Sequence, residues 1–163
     1  MTIVDKTREK TVARPISKQR LRLWIRLLRA ARAIEAELRE RLRKDFTVTL
    51  PQFDVMAALA RKEGGMNMTE LSRMLMVSNG NVTGIIDRLT VEKLVLRQAP
   101  ANDRRSYIVR LTPKGASQFS VIAKAHEGWV DELLTDIGTA DAEALIQQLD
   151  GLTTRVRSGG AQP

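Results

Sequence analysis

Cysteine is absent from this 163-residue chain and histidine occurs once, at His126. The first absence excludes disulfides, thiolate metal sites, iron–sulfur clusters and cysteine nucleophiles. The second leaves any histidine metal site or catalytic triad with a single residue to rest on. Glu127 follows His126, but on a helix it points about 100° away, so the two do not make an acid–base pair. No glycine-rich phosphate loop and no HExxH motif occurs either. The expectation is a protein that is not an enzyme and holds no metal or cofactor. Long apolar runs are also lacking: the longest, Val55–Ala60, falls far short of the roughly 20 residues that span a bilayer. The start, Met1-Thr2-Ile3-Val4-Asp5-Lys6, has no apolar stretch of a secretion signal, which predicts a cytoplasmic protein without a membrane role.

Positive charge is what the chain has in excess. Residues 1–44 carry 14 Lys/Arg against 5 Asp/Glu, residues 45–115 carry 10 against 7, and residues 116–163 carry 3 against 7. The net +8 therefore comes from the first two thirds. Such a domain usually meets a polyanion, whether nucleic acid, a membrane surface or a phosphorylated ligand; a soluble protein with a high pI is the plainer alternative.

Apolar periodicity organises the rest. Residues 1–15 lack it and read as an arm; 158–163 form a small-residue tail. Ser17 caps a predicted helix to about Lys44, whose apolar face carries Leu23, Trp24, Leu27, Ala31, Ile34, Leu38 and Leu42. Pro51 starts a second helix, with Gly64-Gly65 ending it. Thr69 is placed to cap a short third helix, and Ser78 a longer fourth that runs to Glu92. Leu94–Arg97 and Tyr107–Leu111 read as strands around the polar loop Pro100-Ala101-Asn102-Asp103-Arg104-Arg105. Thr112-Pro113 restarts helix to about Ile137, and a last helix spans about 140–157. The fold class is mainly α with a small β-hairpin. Its terminal helices lack cover, the pattern of a helical homodimer.

The informative segment is Thr69 to Leu89. Leu71, Leu75, Val77, Val82, Ile85, Ile86 and Leu89 are placed to pack two helices across a short turn. Ser78, Asn79, Gly80, Asn81 and Thr83 are then left at the start of the second helix. That is a helix-turn-helix, which presents its second helix to the major groove. Amides there can pair with adenine, and hydroxyls reach phosphates. An ordinary helical hairpin with solvated polar positions fits the same pattern. The basic hairpin that follows favours a wing, with Arg104 or Arg105 suited to a minor groove and Asp103 orienting them.

The sequence resembles the MarR family of winged helix-turn-helix regulators. The resemblance rests on Leu50-Pro51-Gln52-Phe53-Asp54-Val55-Met56, on Leu71–Leu89, on Asp103-Arg104-Arg105 and on Val109-Arg110-Leu111-Thr112-Pro113-Lys114-Gly115. It implies a winged-helix domain over 16–157, with a DNA-binding lobe at about 51–112 and dimerisation helices at about 17–44 and 113–157. It further implies a homodimer on a pseudo-palindromic double-stranded DNA operator. Thr69, Ser78 to Thr83, Arg104 and Arg105 are the DNA-binding candidates, with an effector pocket between dimerisation helices and lobe. One departure stands out: Lys93 occupies a position where the family commonly has glycine, so a non-glycine residue would take the left-handed cap.

The first helix also carries an arginine stripe, including Arg22, Arg26 and Arg29, which operator contact does not explain. It is a solvated face, an anionic effector site, or a supplementary DNA or membrane contact. Val77–Gly84 resembles the branch controlling breakdown of plant-derived aromatic acids, which implies an aromatic carboxylate or aryl-CoA thioester as effector. Guanidinium groups suit its phosphates, and Trp24, Leu28, Phe53 and Met56 are candidates for an aryl slot, or plain core. The expected function is a repressor released by such an effector. The alternative is a basic peripheral membrane or CoA-thioester-processing protein without sequence-specific DNA binding.

Overall fold

The computed structural model describes residues 15–99 and 107–159. Six helices and three short strands follow in the order α1 (Ile16–Phe46), α2 (Leu50–Ala60), β1 (Met66–Asn67), α3 (Met68–Leu75), α4 (Asn79–Val91), β2 (Val95–Gln98), β3 (Ile108–Leu111), α5 (Pro113–Leu133) and α6 (Thr139–Gly159). The chain divides after Glu37 into two compact units. The first contains the leading part of α1, whose Leu23 and Trp24 are exposed. The second contains the end of α1 and everything after it.

The second unit is built on a core of side chains from α2, α3, α4 and the sheet. Met56, Leu71, Val82, Ile86, Leu89 and Val109 are fully enclosed there, each worth about 1.5–3 kcal/mol on removal from water. A smaller cluster joins Leu42 of α1 to Val48, Phe53 of α2 and Ile122 of α5. Around it Phe53 stacks on His126 at 4.5 Å, Phe46 meets Trp129 at 6.0 Å, and Arg41 pairs with Glu132 at 2.6 Å. His126 is thus a packing residue. Burial lowers its pKa and favours the neutral ring.

Several details differ from the sequence expectation. Helix α1 begins at Ile16, so Ser17, the expected cap, lies inside its first turn, and the Lys18 and Gln19 N–H groups donate to the Pro15 carbonyl instead. The sheet has a third strand, and its order is β1-β3-β2, antiparallel throughout. Helix α2 stops at Ala60, so Gly64-Gly65 do not end it. Gly65 turns the chain into β1 instead, with φ +76, and a Cβ there would collide with the Val109 carbonyl oxygen. A side chain would push β1 off β3. Helix α5 ends at Leu133, before the expected Ile137, at the run Thr135-Asp136-Ile137-Gly138 that lacks a packing stripe. Val77, expected in the core, is 37% exposed. Among the described residues no helix is long and apolar enough to cross a membrane.

Candidate nucleic-acid interface

Local hydrogen bonding sets the helix pair. Asn67, the last residue of β1, caps α3: the Glu70 N–H donates to Asn67 Oδ1 at 2.8 Å, and the Asn67 N–H donates to Glu70 Oε2 at 2.9 Å. This reciprocal capping box displaces Thr69, the expected cap, to an exposed position inside the first turn. Lys62 adds a 2.9 Å ion pair, and these contacts together hold the Glu70 carboxyl below its ordinary range. Helix α3 ends at Met76, whose backbone is left-handed (φ 54, ψ 35). Ser72 Oγ donates to the Val77 carbonyl at 2.7 Å and closes the turn.

Ser78 caps α4 as expected, its Oγ accepting from the Asn81 N–H at 3.4 Å. Beyond the cap, Asn79, Gly80, Asn81 and Thr83 are all exposed, while Val82, Ile86 and Leu89 turn inward. Thr83 donates its hydroxyl to the Asn79 carbonyl at 2.9 Å. The Asn79 and Asn81 amides have no hydrogen bond among the described residues. A Cβ added at Gly80 or Gly84 would meet nothing within 4 Å. Packing within the chain therefore does not demand glycine at either position; the open face they make is available to something outside it. Val77 lines a cleft of about 510 Å³ beside this face, with Asn81, Ile85 and Arg88.

The end of α4 is tied to three other elements. Lys93 takes the left-handed conformation (φ 61), as the departure from the family pattern implies. Its carbonyl accepts from Thr112 Oγ1 at 2.8 Å, and Leu94 O accepts from the Thr112 N–H at 3.0 Å. Gln52, buried at the start of α2, reaches Glu92 at 3.5 Å and shares a capping box with Thr49. Asp87 of α4 pairs with Arg97 of β2 at 2.6 Å. Arg97 shares a sheet face with buried Val95, because strand side chains alternate. On the opposite face Arg110 donates to Gln98. The register Gln98↔Ile108 forms the base of a hairpin. Its loop, with Arg104 and Arg105, lies outside the described residues.

The effector candidates divide between the units. Arg22, Trp24, Arg26 and Arg29 are exposed and Leu28 is half-buried in the first. Phe53 and Met56 are core residues of the second, in different clusters. The Asp87–Arg97 pair and the Asn67–Glu70 box were not singled out from sequence. The spacing Asn-x-x-Glu carries the second, whereas nothing local marks a pair ten residues apart.

Comparison with known proteins agrees with this geometry. The MarR family profile matches residues 48–107. The transcriptional activatory protein BadR of Rhodopseudomonas palustris is 32% identical over 139 residues, 78% of this chain and 74% of that protein. The chain belongs to the MarR family. In fold, this MarR-family chain is similar to AbsC, a MarR family transcriptional regulator from Streptomyces coelicolor (TM-score 0.78, 24% identity, 90% of this chain and 99% of that one). It is also similar to a mutant MarR from E. coli complexed with operator DNA (TM-score 0.72, 23% identity, 85% and 99%). As a MarR-type transcriptional regulator it is a winged helix-turn-helix DNA-binding protein and not an enzyme.

Proposed function

We propose that two copies of this chain form a repressor that sits on a pseudo-palindromic operator and leaves it when an anionic aromatic effector, such as an aryl-CoA thioester, binds. The observation that carries the DNA reading is the start of α4, where Asn79, Gly80, Asn81 and Thr83 are exposed around a capped, well-buttressed helix end. Such a tip fits the major groove, with amides toward base edges and the hairpin toward the adjacent minor groove. The E. coli relative held on operator DNA has the same fold. A two-fold pair is supported by apolar side chains that a single chain leaves in water: Ile16, Leu21 and Trp24 on α1, and Ile146, Leu149, Leu152 and Val156 on α6.

The effector reading rests on the Arg22, Arg26 and Arg29 stripe, exposed and without ion pairs among the described residues. Like charges three and four apart repel by a few tenths of a kcal/mol per pair, and a polyanion would reverse that. The effector must bind the DNA-free state more tightly than the bound one for release to follow. The test uses DNA from upstream of the chain's own gene. Binding should weaken with salt, the slope reporting the phosphates engaged. Aryl-CoA thioesters should release the complex, and an Arg22→Ala/Arg26→Ala/Arg29→Ala variant should resist release. Transcription in vitro should rise on release; a fall would make the protein an activator.

A further inference from the structure

We propose that the cleft between the outer side of α3 and the last turns of α6 binds a small carboxylate carrying an apolar tail. The cleft is an open groove of about 710 Å³, within the size range of small-molecule sites, and no residue of α1 contributes to it. Lys62, Arg73 and Arg157 bring three cations to its lining, against one carboxylate, Glu70. That carboxylate is already engaged through both oxygens, one by Lys62 Nζ at 2.9 Å and the other by the Asn67 N–H at 2.9 Å. Arg157 has no carboxylate within ion-pair distance among the described residues, and Arg73 makes no ion pair there but adds a longer-range attraction to Glu70.

The remaining wall is apolar. Met74 is 48% exposed and Met76 is 76% exposed, next to buried Met66. Thioethers are polarizable and adapt to irregular apolar groups. Met76 also holds the left-handed turn position, where a non-glycine residue is strained. An exposed methionine kept at a strained position beside two guanidinium groups matches a ligand that is charged at one end and hydrocarbon at the other. Guanidinium pairs bidentately with a carboxylate. A bare inorganic anion would answer the arginines and leave the methionines in water.

The chain has six methionines, so ¹³C-methyl methionine spectra of the full-length protein resolve the site, with Met74→Leu and Met76→Leu giving the assignments and the enclosed Met56 as an internal control. Octanoate or benzoate should shift the Met74 and Met76 methyls saturably. In Arg73→Ala/Arg157→Ala the apparent affinity should fall at least tenfold. The α1 triple variant should keep the shifts, which separates this site from the effector reading above. The proposal is overturned if neither carboxylate gives saturable shifts, or if the shifts persist in the double variant. Equal shifts from inorganic phosphate would overturn it as a plain anion site. Equal shifts from operator DNA, lost in the double variant, would assign the arginines to the DNA backbone instead.

Discussion

Replacing Gly115 by alanine should unseat the start of α5 from the reading lobe. A Cβ at this buried position would lie 2.8 Å from the Leu94 carbonyl carbon and 3.1 Å from its Cα, where ordinary contact is 3.4–4 Å, and closer still to the carbonyl oxygen. Both sides of that contact are backbone, so no side chain can rotate away. Relief requires α5 to retreat by more than an ångström, because the carbonyl oxygen is the nearest atom. The same retreat stretches the bonds from Thr112 N to Leu94 O (3.0 Å), from Thr112 Oγ1 to Lys93 O (2.8 Å) and from Lys114 Nζ to Glu92 O (2.9 Å). Overpacking costs about 1–3 kcal/mol and a weakened cap about 1 kcal/mol; alanine returns about 1 kcal/mol of helix propensity. The net loss is about 2 kcal/mol, or a fall in Tm of about 4–8 °C for a chain of this size. Gly128 in the same helix is the control, because a Cβ there meets nothing within 4 Å. Gly128→Ala should stabilise by up to about 1 kcal/mol. The assay is thermal unfolding by circular dichroism at one fixed protein concentration, since association would shift Tm. Equal Tm changes for the two variants, or a Gly115→Ala protein as stable as the parent, would refute the steric argument.

Asn81→Ala should change sequence preference at one base position by about 1–3 kcal/mol in a binding assay across operator variants, while Arg104→Ala should weaken all sequences together and flatten the salt dependence. Lys93→Gly should raise stability by about 0.5–1 kcal/mol in denaturant melts, because it removes a left-handed non-glycine residue (φ 61). Glu70 contributes stability above the ordinary carboxylate pKa, and that contribution is lost as pH falls through its lowered folded value. Glu70→Gln should therefore show a shallower acid limb in stability against pH. His126, lowered by burial, acts with the same sign nearer neutrality: the folded state loses stability as pH drops below the ordinary histidine value, and His126→Gln should remove that slope.

Long periodic segments and the cap of α4 are legible from sequence because each has a local physical cause. The inward Val82, Ile86 and Leu89 follow from helical spacing and the Ser78 cap from its hydroxyl, whereas the left-handed Lys93 is implied only by resemblance to the family, which commonly has glycine there. Strand β1 was not legible: two residues show no alternation, and their partner Ile108–Val109 lies forty residues on. Spacing points to Thr69 as the cap, but Asn67 takes that role because the strand ends there, which nothing local in the sequence marks. Val77 looked like core by spacing alone, but the left-handed Met76 rotates the chain just before it. At the candidate site, the helix-tip residues were readable, whereas Asp87–Arg97 depends on a sheet face that only the register Arg97↔Val109 defines.

Asn67 belongs to two structures at once, pairing with Ile108 in the sheet and capping α3. One residue of slippage in the strand would uncap the helix and turn Met66 out to solvent in the same stroke. Evolution can lengthen the hairpin tip without consequence for this junction. A single insertion between Gly65 and Met68, by contrast, would throw the reading helices out of phase with the hairpin, so this short stretch leaves no room for a change in length.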